Sequence, residues 1–176
     1  MPKEFFAYTF HVPEPCNSIV IPIGLGVSLP IPGVAPGQRV KVEATALIDT
    51  GASGSCISEA FARKFNLKAF TMSKVHTAKG EDIRPRYYLD IFLPNGLMKS
   101  NMDVIEFSGS PENRFDFIIG MNIIRAGDLS ITNANSQMVF SFRMPPNYLH
   151  IDYEKIKRKD KAGKLQKDDL RKYQGE

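Results

Sequence analysis

From Ile19 to Ile31 every second residue is a branched aliphatic: Ile19, Ile21, Ile23, Leu25, Val27, Leu29 and Ile31. A helix would scatter such a set around its circumference, whereas a strand places all seven on one face of a sheet. The chain is therefore expected to be built on half-buried strands. Pro22 and Pro30 take the opposite parity; proline cannot donate to a ladder, so this strand is expected to be irregular or at an edge. A second alternating run, Val40, Val42, Ala44, Ala46 and Ile48, is interleaved with Arg39, Lys41, Glu43 and Thr45. It becomes apolar on both faces at Leu47-Ile48, just ahead of Asp49.

The remaining elements follow from local signals. Ser58 reads as an N-cap, with Glu59 in the first turn and Phe61 and Phe65 sharing a face before a stop at Asn66. Residues 69–77 and 84–93 read as strands around a turn at Ala78-Lys79-Gly80-Glu81. Asn95-Gly96 signals a two-residue hairpin leading into residues 97–107. After a polar loop comes the run Phe115-Asp116-Phe117-Ile118-Ile119, then a short helix from Gly120 to Ala126 closed by Gly127. A strand over residues 128–132, an Asn-rich turn and an alternating strand, Met138, Phe140, Phe142 and Met144, complete the body. The expectation is a mainly β fold with two short helices.

Size and charge limit the alternatives. At 176 residues and 43% hydrophobic content, the chain has room for one core and an appendage. Residues 1–153 hold 14 Lys+Arg and 14 Asp+Glu, while residues 154–176 hold 9 and 5. The whole net charge of +4 thus sits in a tail, and the body lacks the excess of cations that a nucleic-acid-binding face requires. Only the basic tail offers a contact for polyanions. The expected organisation is an N-terminal extension over residues 1–17, a folded domain over 18–152 and a charged tail over 153–176, disordered or loosely helical. Residues 15–38 carry no charge, but five prolines and four glycines make them no membrane span. Cys16 and Cys56 are read as reduced thiols of a cytoplasmic protein, and neither they nor the scattered His11, His76 and His150 have metal-site spacing. No metal or cofactor is expected.

The segment that carries chemistry is Ala46-Leu47-Ile48-Asp49-Thr50-Gly51-Ala52-Ser53. It sets one carboxylate at the end of a buried strand, on a turn where Gly51 permits close backbone approach. A turn-forming aspartate bonding its own local amides is the plain alternative. Gly51 to Ser55 nearly spells Gly-x-Ser-x-Gly, but the last residue is serine and the strand–elbow–long-helix context is missing. Ile48 to Gly51 also resembles a phosphate loop of actin-like ATPases, which need a longer chain and a second phosphate motif. Cys56 beside this loop and His76 near the hairpin are read as a packed thiol and an ordinary strand histidine.

ALIDTGAS, a short helix, a hairpin with glycine at its tip and the later FDFIIGMNII together resemble the retropepsin-like (retroviral-type) aspartic proteases, from about Ser18 to Arg143. The resemblance implies a closed, barrel-like acid-protease fold acting as a two-fold dimer. It implies Asp49 as the shared acid and base, Thr50 as the residue whose hydroxyl reaches across the axis, and Gly51 as the residue whose carbonyl accepts a hydrogen bond from substrate. Ala52 and Ser53 would line the substrate, and Ala78, Lys79 and Gly80 would form a flap tip that closes over it. Ile118, Ile119 and Gly120 would pack behind the catalytic loop. Retroviral members usually carry an acidic residue at Ser53 and an arginine at Met121, so both halves of that ion pair are absent together.

Chemistry agrees with the resemblance. Hydrolysing a peptide bond without a metal or a nucleophile needs a base to activate water and an acid to protonate the carbonyl oxygen. Two adjacent carboxylates sharing one proton do both. This sequence has one Asp-Thr-Gly, so the second carboxylate must come from another copy. The expected function is that of a homodimeric aspartic endopeptidase acting on peptides or proteins. The alternative is a catalytically silent binding or assembly module on the same fold.

Overall fold

The computed structural model describes residues 5–12, 17–28, 38–77, 80–94, 96–108, 115–147 and 150–161, and the statements below concern these. The chain forms two compact units, Met1–Pro145 and Pro146–Glu176.

The first unit is mainly β. Its ten strands are β1 (Phe6–His11), β2 (Val20–Ser28), β3 (Arg39–Ile48), β4 (Cys56–Ser58), β5 (Thr71–Thr77), β6 (Gly80–Phe92), β7 (Met98–Phe107), β8 (Phe117–Ile119), β9 (Asp128–Ala134) and β10 (Gln137–Met144). Two short helices, α1 (Glu59–Lys64) and α2 (Met121–Ile124), follow β4 and β8.

Seven strands form one sheet in the order β2-β3-β8-β4-β7-β6-β5. A further pairing of Gly24–Gly26 in β2 with Asp90–Phe92 in β6 turns this sheet back on itself. The alternation read along β2 holds from Ile19 to Val27, where Ile19, Ile21, Ile23, Leu25 and Val27 are all buried; Leu29 and Ile31 lie outside the described residues. Burying an aliphatic side chain of this size stabilises the fold by about 1.5–3 kcal/mol. Pro22 lies opposite Thr45 of β3, outside the three residues at which β2 has a second neighbour. Its missing N–H is therefore tolerated. On the same face, Gly26 lies against Asp90, which pairs with Arg39 and accepts the Asn101 N–H at 2.9 Å.

The second sheet is three-stranded, β1-β10-β9. Residues 6–11, set apart above as an N-terminal extension, pair along β10 from Phe6↔Met144 to His11↔Val139. Tyr8 packs against Phe140 and Phe142 with ring centroids 5.8 and 6.0 Å away. This apolar face joins the same core as β2 and β8. The Asn-rich turn is Asn135-Ser136, both at positive φ (53° and 60°), as a two-residue hairpin turn of the I′ type requires.

The helices behave as read. Ser58 caps α1 by accepting the Phe61 N–H at 3.1 Å, and the Phe61 and Phe65 rings sit 4.5 Å apart. The turn between β6 and β7 differs. Leu93 N–H donates to Leu97 O at 2.8 Å and Gly96 N–H to Leu93 O at 3.1 Å, so three residues rather than two span it, with Gly96 at φ 81°.

In the second unit, α3 (Tyr153–Lys161) starts where Asp152 accepts the Lys155 N–H at 2.9 Å, and it buries no residue. Glu154 and Arg158 pair one turn apart. The basic tail is thus helical over its described part. No helix among the described residues is long and apolar enough to cross a membrane.

Candidate active site

Two strands remote in sequence run side by side beneath Asp49. β3 and β8 pair in parallel, Ala46↔Phe117 to Ile48↔Ile119, and β4 flanks the other side of β8. The chain from β3 to β4 must therefore pass over the end of β8, and Asp49 to Ser55 make that crossing. The Asp49 N–H continues the ladder by donating to Ile119 O at 3.0 Å. Parallel strands covered on both faces need continuous apolar sequence, which is why Leu47-Ile48 and Phe117-Ile118-Ile119 lose their alternation here.

Backbone bonds then fold the loop. The Gly51 N–H donates to Asp49 Oδ1 at 2.8 Å, and the Ala52 N–H to Asp49 O at 3.3 Å. Asp49 is half-buried while Thr50 and Gly51 are exposed. One carboxylate oxygen is thereby fixed by its own loop on the rim of the body. The turn-forming role weighed for Asp49 is present, on the end of a buried strand rather than in a solvated turn.

The segment after β8 closes on this loop from behind. Met121 N–H donates to Ala52 O at 2.8 Å and Asn122 N–H to Ser53 O at 3.2 Å. The main chains at Ser53 and Met121, the two positions named above for an ion pair in retroviral members, thus run side by side. Gly120 makes the approach feasible: a Cβ there would lie 2.5 Å from Gly54 O and 2.8 Å from Ala52 O. The structure brings Asp49, Ala52 and Ser53 together with Ile119 and Gly120, and Ile118 pairs with both Leu47 and Cys56.

Two residues that the sequence reading left without a role complete the support. Ser55, 2% exposed, accepts the Gly120 N–H at 3.1 Å and donates to Asn122 Oδ1 at 2.7 Å. Asp116 accepts the Thr45 N–H at 3.0 Å and the Thr45 hydroxyl at 3.3 Å, fastening β8 to β3 one turn below the site. Neither has a local signature, because each role depends on a partner more than sixty residues away.

Cys56 begins β4 and donates its thiol to Gly54 O at 3.6 Å. Burial, and then the nearby Asp49 charge, push its pKa above the ordinary thiol value. That is the behaviour of a packed, unreactive thiol.

The β5–β6 hairpin is the segment from which a flap is expected. Its register runs from Thr71↔Arg86 to Thr77↔Gly80, and Gly80 is exposed at φ 117°. The expected tip residues Ala78 and Lys79, and the side chain of His76, lie outside the described residues. Lys74 and Glu81 form an exposed ion pair across the hairpin. Met72 and Ile83, 55% and 64% exposed, share a face with the buried Tyr87 and Leu89 farther along β6. A separate open groove of about 620 Å³ lies between Pro22–Gly24, Lys41–Thr45 and Phe92–Pro94; Asp49 does not line it. No group of three potential metal ligands occurs among the described residues.

A half-buried aspartate leading an exposed Thr-Gly turn, held over parallel strands by a glycine-led helix, defines a single-carboxylate site of the acid-protease kind. The chain belongs to the family of gag-polyprotein putative aspartyl proteases, whose family model matches residues 37–126, just over half of its length. That match spans β3, the Asp49 loop, the β5–β6 hairpin and α2. Among solved structures the chain is similar to a retropepsin-like aspartic protease from Rickettsia conorii, at 11% identity and TM-score 0.49, covering 82% of this chain and 98% of that one. It is also similar to the retroviral protease-like domain of Ddi1 from Leishmania major, at 17% identity and TM-score 0.38, covering 74% and 98%. No curated protein matches it.

Proposed function

We propose that this chain is a homodimeric aspartic endopeptidase in which Asp49 and its twin in a second copy activate one water molecule. The observation that carries the reading is the placement of a single carboxylate at a rigid rim. Asp49 is fixed by the Gly51 N–H and the β8 ladder, and it lies at the edge of its own body rather than in its interior. One carboxylate can take a proton from water or give one to the carbonyl oxygen, but it cannot do both in one step. Two on a two-fold axis share a single proton and divide these tasks.

In this reading the ionised Asp49 of one copy removes a proton from the water as it attacks the peptide carbon. The protonated partner carboxyl donates to the carbonyl oxygen, giving a neutral tetrahedral diol. Collapse of the diol returns a proton to the leaving amine and frees both fragments. Thr50 holds the two loops coplanar across the axis, while the Gly51 carbonyl accepts from the extended substrate and Ala52 and Ser53 line it. The β5–β6 hairpin, with Ala78, Lys79 and Gly80 at its tip, covers the peptide and excludes water. Ile118, Ile119 and Gly120 hold the catalytic loop from behind.

The test is cleavage of an unfolded protein by wild type and by Asp49→Asn, with sedimentation to follow the dimer. The reading requires wild-type turnover that Asp49→Asn abolishes while the dimer persists. A wild-type dimer that binds peptide without ever cleaving it would instead establish the silent binding module.

A further inference from the structure

We propose that helix α3 is a docking surface for single-stranded nucleic acid, with the Tyr153 ring stacking on a base and Lys157 and Lys161 meeting phosphates. The proposal stands apart from the peptidase reading and uses none of its residues.

Charge complementarity selects the partner. Residues 1–153 balance at 14 Lys+Arg and 14 Asp+Glu, and residues 162–176 add four Lys+Arg against three Asp+Glu. α3 holds five cations, Lys155, Lys157, Arg158, Lys159 and Lys161, against Glu154 and Asp160. This one helix therefore carries +3 of the net +4. Glu154 is engaged by Arg158 one turn on, while Lys155, Lys157 and Lys161 have no carboxylate partner among the described residues. The helix buries none of its side chains. Like charges four residues apart, such as Lys157 and Lys161, destabilise a free helix, and an anion laid along them relieves that repulsion.

Spacing selects the kind of nucleic acid. Tyr153, Lys157 and Lys161 follow one another at four-residue steps and form one stripe, each about 6 Å further along the axis. Tyr153 is 72% exposed, and both lysines are exposed. A single strand offers phosphates to the cations and an unpaired base face to the ring. In a duplex the bases are already stacked on one another, so the ring would gain no partner there.

The rest of the helix turns away a lipid surface. An interfacial helix needs an apolar face opposite its cations. Within α3 the aliphatic side chains reduce to Ile156, which is half-buried, and one turn further on the same side carries Asp160. Too little apolar surface remains to enter a bilayer.

The test uses the full chain and a fluorescein-labelled single strand of about 20 nucleotides, followed by anisotropy as salt rises from about 50 to 200 mM. The duplex of that strand, and vesicles of phosphatidylserine and phosphatidylcholine, are the competing probes. Wild type is expected to prefer the single strand, with log affinity falling against log salt by about 0.7 for each phosphate neutralised. Replacing Lys157→Gln and Lys161→Gln together is expected to make that slope shallower by about 1.4. Lys64→Gln with Lys68→Gln, which removes the same charge from exposed positions of the first unit, is expected to leave it unchanged. Tyr153→Ala is expected to weaken binding about fivefold or more with the slope kept. Glutamine and alanine are good helix formers, so these variants do not act by melting α3. Equal losses in the two lysine pairs would reduce the effect to net charge and overturn the proposal. So would a duplex bound as tightly as the single strand with Tyr153→Ala neutral, or vesicles bound while the oligonucleotide is not.

Discussion

The Asp49 loop and the β5–β6 hairpin are held in opposite ways. The loop is fixed by main-chain bonds to β8 and α2, a buried serine and a glycine against which backbone packs. Beyond Arg86, where β6 leaves β7, the hairpin is held by its own ladder and by the ion pairs Lys74–Glu81 and Arg84–Asp82. Buried polar ties leave a group unpaired when one partner is lost, whereas exposed pairs are replaced by solvent. The difference makes the Asp49 loop the more firmly placed of the two, which suits the catalytic and covering roles proposed for them.

That contrast can be broken by mutation. Asp49→Asn, which alters no packing, is expected to lower peptide turnover roughly 10³-fold or more, since it removes the acid–base group itself. A fall below tenfold in single-turnover assays would place the chemistry elsewhere. In the support of the loop, Gly120→Ala forces backbone against Gly54 and is expected to cost about 1–3 kcal/mol. Ser55→Ala orphans the Gly120 N–H and the Asn122 amide oxygen and is expected to cost a similar ~1–3 kcal/mol. Urea unfolding measures both, and a neutral result for either would mean that the loop relaxes freely.

Cys56 reports on the same loop more gently. Burial and the Asp49 charge raise its pKa, so the unfolded chain ionises this thiol first. Its contribution to stability is complete below the ordinary thiol value and is lost as the pH climbs from that value through the raised one. Asp49→Asn removes one of the two causes, so in a Cys16→Ser background iodoacetamide should alkylate Cys56 faster than with Asp49 present. An unchanged rate would show that the two groups do not sense each other. The smallest effect belongs to the hairpin: Lys74→Ala is expected to change stability by less than about 0.5 kcal/mol. A loss near that of Ser55→Ala would erase the contrast between the two regions.

The division between legible and hidden features follows the range of the interactions. Alternation along β2, β3 and β10, the Ser58 cap and the Phe61–Phe65 pair are written in neighbouring residues and are seen in the structure as read. Asp49 and Gly120 are visible because their motifs combine an apolar run with a tight turn. Ser55 and Asp116 look like ordinary loop residues until β3, β4 and β8 lie side by side, so no local pattern marks them. β1 is an intermediate case: Phe6, Tyr8 and Phe10 do fall at period two, but a six-residue run beside undistinguished sequence offers nothing to say where it pairs.

The lacing of β1 to β10 also sets a timetable for synthesis. Thr9 meets Ser141, 132 residues later, in a side-chain hydrogen bond of 2.9 Å. While the ribosome is still producing the middle of the chain, Tyr8 and Phe10 have no partner strand, and contacts of such long sequence separation slow folding. The body therefore matures only after nearly all of it has been translated. The Asp49 loop waits less long, since the main-chain bonds that hold it come from residues 119–122, and the activity proposed for it waits at least until those are made.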